Sequence, residues 1–239
     1  MIYAAIVAGG TGSRMGADIP KQFLDLGGKP VLIRTIERFL KCERIDVVYI
    51  GVHRDWTERL SGMCRRQGLD MSRLRIVGGG EYRNATVCKM MLALREEFGF
   101  SEGDIIVTHD GVRPFVTLRE IEESISAVES GEYKGVTVCA PVKDTILVSE
   151  DGGSIDSVPA RSSLYRMLTP QTFDLPLLYK CYLGLPDDAL SQVTDTTAVM
   201  SLAGYRIGLV RGSDNNIKLT TPVDMKLGEL ILKEQAENG

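Results

Sequence analysis

The chain has 239 residues, 44% of them hydrophobic and 25% charged, with a formal net charge of −4; this is ordinary globular composition for one α/β domain. The acidic balance, with a pI near 5.4, argues against a general nucleic-acid binder but not against a small anionic ligand, which needs only local positive charge. No apolar run approaches the roughly 20 residues that span a bilayer. Five cysteines (Cys42, Cys64, Cys88, Cys139 and Cys181) stand singly, and no basic leader precedes the first strand, so a cytoplasmic protein with reduced thiols is expected.

Strand and helix patterns alternate through the first half. Ile2 to Val7 reads as a buried strand, and Leu32, Ile33, Ile36, Phe39 and Leu40 repeat at helical spacing. Asp46 to Val52 is a second strand, followed by a helix carrying Trp56, Leu60, Met63 and Cys64. Leu74 to Val77 is a third strand; Val87, Met90, Met91, Leu94 and Phe98 mark an amphipathic helix; Asp104 to Thr108 is a fourth strand. Such alternation implies βαβ units, hence a Rossmann-like, mainly parallel twisted sheet with helices on both faces. Ligands in such sheets bind beyond the carboxyl ends of the strands.

The second half differs. Residues 144–160 read as two short β segments around Asp151-Gly152-Gly153, a hairpin turn signal. This β-arm would project from the sheet with little core of its own, and a second subunit is its expected cover. Asp174 to Gly184, Asp195 to Gly204 and Thr221 to Glu237 read as helices, with Tyr205 to Val210 another strand. No linker composition divides the chain, so residues 1–239 are expected to form a single domain.

The first strand runs directly into Ala8-Gly9-Gly10-Thr11-Gly12-Ser13-Arg14-Met15-Gly16, and Pro20-Lys21-Gln22 follows. Glycines at a strand end let backbone amides approach a phosphate, and Arg14 and Lys21 add two cations. The dinucleotide fingerprint fails, because its third glycine position holds Met15 and the second strand ends at Val52-His53 without an acid. A Walker A loop fails too: the one Gly-Lys pair, Gly28-Lys29, is followed by Pro30.

What remains, G-G-x-G-x-R-M-G followed by P-K-Q-F, resembles the nucleotide loop of the polyol-phosphate cytidylyltransferases. Further matches run in order along nearly the whole chain: Gly79-Gly80-x-x-Arg83, His109-Asp110-x-x-Arg113-Pro114, Asp144-Thr145, Arg161-x-x-Leu164-Tyr165, Thr169-Pro170-Gln171, Thr194-Asp195 and Asn216-Ile217-Lys218. The resemblance implies transfer of CMP from CTP to a small polyol phosphate, with Mg²⁺ as cofactor, a homodimer built through the 144–160 arm, and neither nucleic acid nor membrane as partner. The acceptor phosphate is already ionised at neutral pH, so cations, a metal and alignment suffice without a strong general base.

By the same resemblance, Arg14, Lys21 and Lys218 are the catalytic cations. Ala8, Gly9, Gly10, Gly12, Gly80, Glu81 and Thr86 bind the nucleotide, and Arg113, Thr145, Arg161, Thr169 and Thr194 bind the acceptor. Asp110, at the end of an apolar strand, is placed to hold the metal, although Thr108-His109-Asp110-Gly111 is also good turn chemistry. His109 reads as a structural residue that orients this loop. Likewise Arg83 to Thr86 could simply open a helix with Asn84 as its cap. The methylerythritol enzymes carry Asp immediately before Asn-Ile-Lys; here that position is Asn215, with Asp214 one residue earlier. Either Asp214 supplies the second metal ligand or Asp110 holds the metal largely alone.

Thr108 to Phe115 with Val112 before Arg113, Arg83-Asn84, and Thr220-Thr221-Pro222 all resemble the ribitol branch, making ribitol 5-phosphate the first expected acceptor and 2-C-methyl-D-erythritol 4-phosphate the alternative. A methyl branch in a pocket discriminates by only about 1–3 kcal/mol. A nicotinamide-dependent oxidoreductase would need the missing fingerprint, and an inactive nucleotide-binding protein would not need Arg14, Lys21, Asp110 and Lys218 together.

Overall fold

The first apolar run forms β1 (Ile2–Ala8), buried along most of its length, as a strand in the middle of a parallel sheet must be. In the computed structural model, which describes residues 1–10 and 19–237, a small hairpin follows: β2 (Asp25–Leu26) and β3 (Lys29–Pro30), turned by Gly27 and Gly28 at positive φ. Then come α1 (Val31–Leu40), β4 (Val47–Val52), α2 (Thr57–Arg66), β5 (Leu74–Gly78), α3 (Arg83–Phe98), β6 (Ile105–Asp110) and α4 (Leu118–Glu129). The second half contains β7 (Gly135–Pro141), β8 (Tyr165–Asp174), α5 (Leu175–Gly184), α6 (Asp187–Gln192), α7 (Thr196–Leu202), β9 (Gly208–Arg211) and α8 (Pro222–Glu237).

Seven strands form one sheet in the order β5-β4-β1-β6-β8-β7-β9. Only β8 is reversed, pairing antiparallel with β6 and β7, while the other pairings are parallel. The expected α/β architecture is therefore present, with one reversed strand. Alternation along β1 feeds two cores. Ala4, Ile6 and Ala8 pack with α1, α2 and α4 residues such as Ile36, Leu60 and Ile121. Tyr3 and Ala5 pack with Met90 and Leu94 of α3, Leu178 of α5 and Val199 of α7. A smaller cluster of Leu26, Phe115, Leu219 and Ile231 seats α8 beside the β2–β3 hairpin. Asp174 and Asp195 cap α5 and α7 by accepting from Leu177 N and Ala198 N, both at 3.1 Å.

The arm departs from the expected pair of strands. Its turn forms as read, with the Asp151 carboxylate accepting from Gly153 N, Ser154 N and the Ser149 and Ser154 hydroxyls. Beyond the turn, a single bridge, Val148 with Ser157, is the β pairing of the arm. A two-stranded ribbon with no third strand beside it gains little from further pairing, and Leu147, Ile155 and Val158 stand 52%, 65% and 57% exposed. The strand expected from Tyr205 begins only at Gly208. No helix among the described residues is long and apolar enough to cross a membrane. Cys42, Cys64, Cys139 and Cys181 are buried free thiols.

Candidate active site

Parallel register brings four strand ends level on one edge. Ala8 pairs with Val52, Val52 with Gly78, and Val7 with Asp110, so the segments that follow β1, β5 and β6 share one cleft. Ala8, Gly9, Gly10, Lys21, Gly80, Glu81, Thr86, Asp110 and Lys218 all line it. Glycine is required where these segments crowd. Gly111 donates to Val7 O at 2.8 Å, and a Cβ there would lie 3.0 Å from Ala8 Cβ and 3.1 Å from Val7 O.

Two side chains shape the part of the cleft that follows β1 and β5. Gln22, 2% exposed, donates through Nε2 to Ala8 O at 2.7 Å and Gly10 O at 3.0 Å, fastening the Lys21 turn to the end of β1. Phe23, next in the chain, stacks on Trp56 at 4.3 Å between ring centroids, and the Arg59 guanidinium lies 4.6 Å from the Trp56 ring. Thr86 Oγ1 accepts from Gly80 N at 3.0 Å and donates to Tyr82 O at 3.2 Å. Its hydroxyl thus holds the Gly80–Tyr82 turn.

Asp110, 7% exposed, carries the electrostatics. Its Oδ1 meets Arg83 Nε at 3.2 Å, and its Oδ2 meets Lys218 Nζ at 2.9 Å and Arg113 Nε at 3.4 Å. Burial alone would raise the carboxyl, but Arg83, Lys218 and Arg113 together hold it far below the usual carboxylate range. His109 is fully buried, and burial pushes it down to about 3, so the ring is neutral. Its Nε2 lies 3.1 Å from Arg113 O, which can only accept, so Nε2 carries the proton. Nδ1 then accepts from Thr169 Oγ1 at 2.8 Å, and Thr169 Oγ1 accepts from Asp110 N at 3.2 Å. This chain of donors fixes residues 109–113, in keeping with the structural reading of His109.

A second network supports the Lys218 segment. Arg113 Nη1 donates to Asn216 O at 2.9 Å, and Asn216 Nδ2 donates to Thr169 O at 2.8 Å. Glu120, fully buried, accepts from Ser213 N at 2.8 Å and Asn216 Nδ2 at 3.3 Å with Oε1. With Oε2 it closes the capping box of α4 on Thr117.

Several expected site residues stand elsewhere. Arg14 and Gly12 lie outside the described residues. Arg113 and Thr169 were expected on the acceptor, but they are 8% and 4% exposed with their polar atoms engaged as above; they hold Asp110 and the 216–218 segment. Thr145, Arg161 and Thr194 are exposed and are not among the residues lining the cleft. Arg161 donates to Lys143 O at 3.1 Å. Asp214, expected beside the metal, is paired with Lys143 Nζ and Arg166 Nη2, each at 2.6 Å, and does not line the cleft. Asn84 does not cap α3, whose N-cap is Tyr82. It is buried, donating to Val193 O at 2.9 Å and accepting from Tyr182 Oη at 2.9 Å. Sequence reasoning gave no role to Gln22, Glu120, Asn216 or Thr196. Gln22 and Asn216 had a signal, since each is itself a residue of a matched motif, P-K-Q-F and Asn216-Ile217-Lys218. Among the described residues, no group of three metal-ligating side chains forms.

The family model of IspD, 2-C-methyl-D-erythritol 4-phosphate cytidylyltransferase, matches residues 2–234. The chain belongs to this family. It is a CTP-dependent cytidylyltransferase, a nucleotidyltransferase enzyme. Among solved structures, 4-diphosphocytidyl-2C-methyl-D-erythritol synthase from Anaerococcus prevotii DSM 20548 is 28% identical, with a TM-score of 0.82 over 98% of this chain and 96% of that one. A second structure described as 4-diphosphocytidyl-2C-methyl-D-erythritol synthase is 27% identical, with a TM-score of 0.78 over 97% and 98% of the two chains. The Francisella tularensis 2-C-methyl-D-erythritol 4-phosphate cytidylyltransferase (IspD), 23% identical with a TM-score of 0.80 over 96% and 98%, shares the fold.

Proposed function

We propose that this cytidylyltransferase transfers CMP from CTP to 2-C-methyl-D-erythritol 4-phosphate and releases pyrophosphate. The observation that carries the reading is the convergence of Gly9, Gly10, Lys21, Asp110 and Lys218 on one cleft in a chain matched by this family over residues 2–234. The order of acceptors is thereby reversed from the one expected from sequence. Two of the cues toward ribitol, Arg83 and Asn84, hold the 190–196 segment in this fold, so they say little about the acceptor. One cue keeps ribitol 5-phosphate as the second reading: Val112 lines the cleft where the methylerythritol enzymes usually have the smaller Ala.

In the proposed reaction an acceptor phosphate oxygen attacks the α-phosphorus of CTP. The new P–O bond forms as the bond to the β-phosphate oxygen breaks, and the electron pair leaves with pyrophosphate. Charge grows on the transferring group and the leaving group, so stabilisation must come from fixed cations and amides. Lys21 faces the triphosphate and Lys218 the α-phosphate; the family resemblance assigns the triphosphate to Arg14 as well. Gly9 and Gly10, with Ala8, let the backbone close on the phosphates, and the family resemblance adds Gly12 to the nucleotide-binding set. Gly80 and Glu81 border the cytosine and ribose, and Thr86 keeps their turn in place.

A single carboxylate together with triphosphate oxygens and waters is a donor set that suits Mg²⁺, so Asp110 would hold it. The ion would neutralise phosphate charge when bound. Asp214, engaged by Lys143 and Arg166, is left out of this set. Thr194 borders the acceptor from the same chain. Thr145 and Arg161 reach it from the arm of a second copy, whose surface would also cover exposed Leu147, Ile155 and Val158.

Pyrophosphate release is the test, measured with CTP, Mg²⁺ and each polyol phosphate separately. Turnover with methylerythritol phosphate is expected; turnover with ribitol 5-phosphate alone would replace the acceptor, and turnover with neither would sink the reading. The arm is tested by mixing Arg161→Ala with Lys21→Ala protein. Hybrid dimers should regain part of the activity, and none regained despite demonstrated subunit exchange would remove the shared site.

A further inference from the structure

Arg83 is the first residue of α3, directly after the Gly80–Tyr82 turn, and its guanidinium reaches two ways. Nε donates to Asp110 Oδ1 at 3.2 Å, and Nη1 donates to Thr196 Oγ1 at 2.8 Å at the start of α7. Nη2 is enclosed and meets no hydrogen-bond acceptor among the described residues. An enclosed unmet donor is costly, and a lysine could pair with Asp110 without it. The arginine is therefore not explained by its ion pair alone. What a lysine cannot do is span Asp110 and Thr196 at once with a rigid planar fork.

The next residue repeats the pattern. Asn84 Nδ2 donates to Val193 O at 2.9 Å, and Tyr182 Oη donates to Asn84 Oδ1 at 2.9 Å. The first turn of α3 is thus fastened to residues 190–196 on one side and to Asp110 on the other. On its third side, Gly80 N donates to Thr86 Oγ1 at 3.0 Å, which ties the Gly80–Tyr82 turn to the first turn of α3. Thr196 is anchored in turn, its N donating to Gln171 Oε1 at 3.2 Å.

We propose that Arg83 is a positioning residue that couples the nucleotide side of the cleft to its acceptor side, acting through Asp110 and Thr196. The inference rests on the proposed placement of the acceptor beside Thr194, two residues before Thr196. Arg83 keeps the acceptor-side segment in register with the carboxylate that faces the phosphates. Its loss should damage acceptor binding and turnover while leaving CTP binding nearly intact.

The test is a kinetic comparison of Thr196→Val, Thr196→Ser and Arg83→Lys proteins with both substrates, with CTP affinity measured separately by calorimetry. Thr196→Val removes the oxygen that Nη1 uses at almost constant volume. It should raise the acceptor KM about tenfold or more, while the CTP dissociation constant stays within about twofold; Thr196→Ser should restore the acceptor KM. Arg83→Lys should raise the acceptor KM comparably, since a lysine that keeps Asp110 cannot also reach Thr196. The double variant Arg83→Lys with Thr196→Val should be no worse for the acceptor than Arg83→Lys alone, because both break one contact. Additive effects, or equal weakening of CTP and acceptor, would overturn the coupling. If Thr196→Val fails to fold, Arg83→Lys decides by the same split between substrates. Wild-type protein without turnover on either polyol phosphate would overturn the functional reading itself, which separates the two failures.

Discussion

Glu120→Gln changes one atom in size terms, yet the structure makes it costly. The Glu120 carboxylate is fully buried and meets only donors: Thr117 N and Thr117 Oγ1 on Oε2, Ser213 N and Asn216 Nδ2 on Oε1. A glutamine must turn its NH₂ toward one of these pairs. If it faces Thr117, the hydroxyl can rotate to accept, but the Thr117 backbone N–H is stranded at about 1–3 kcal/mol. The bonds from Ser213 and Asn216 also lose a charged acceptor, worth about 1 kcal/mol each. The opposite orientation strands two donors. Either way the expected loss is about 3–5 kcal/mol, read as a lower urea midpoint at unchanged slope. Glu123→Gln on the same helix, at the exposed ion pair with Arg119, is the control and should change stability by less than about 0.5 kcal/mol. Ser213 and Asn216 lead into Lys218, so Glu120→Gln should also lower kcat below the midpoint of unfolding. A loss under about 1 kcal/mol would refute the donor-only environment of Glu120.

Other expectations follow from the same site. Gly111→Ala should overpack the crossing beside Ala8 and Val7 O at about 1–3 kcal/mol, visible as a lower melting temperature; an unchanged melt would contradict the crowding. His109, held at about 3 when folded against an ordinary 6.5, takes up its proton first in the unfolded chain. Its contribution is therefore complete above the ordinary value and lost as pH falls towards 3. Between pH 7 and 4.5 wild type should lose about 2–3 kcal/mol more than His109→Gln, and equal slopes in the two proteins would refute this. Lys21→Ala should lower kcat far more than it weakens acceptor binding, because its charge matters most as pyrophosphate leaves; an unchanged kcat would remove Lys21 from the reaction.

The parallel half of the sheet was legible because buried strands and amphipathic helices have distinct periods, as in β4 and α1. Strand direction has no such signature, so the reversal of β8 could not be read from Thr169-Pro170-Gln171 and its neighbours. In the arm, Asp151-Gly152-Gly153 correctly announced a turn, but the extent of pairing depends on what lies beside the ribbon. In the site, Gly9, Gly10 and Asp110 stand at strand ends as read and line one cleft with Lys21 and Lys218; Lys218 was singled out by the family resemblance alone, and no strand-end pattern marks it. Arg113 and Thr169 were assigned to the acceptor by the family resemblance, and arginine forks and hydroxyls do suit phosphates; the same groups equally suit buried carbonyls, a carboxylate and an imidazole. Nothing near Asp214 in the sequence reveals that Lys143 and Arg166, dozens of residues away, converge on it.

The three cations on Asp110 are not equivalent. The side chains of Arg83 and Arg113 are 17% and 10% exposed, and each also donates to a second protein oxygen, Thr196 Oγ1 and Asn216 O respectively. Moving either arginine would break two contacts and leave buried groups unmatched. Lys218 is 42% exposed, with a compact charge on a flexible stem, so it can turn from the carboxylate to an arriving anion at the least desolvation cost. When it does, the two arginines still hold Asp110 ionised. One lysine on one carboxylate could not both keep that carboxylate charged and leave it for a phosphate. Three cations of unequal exposure can, with Arg83 and Arg113 the pair that stays on Asp110.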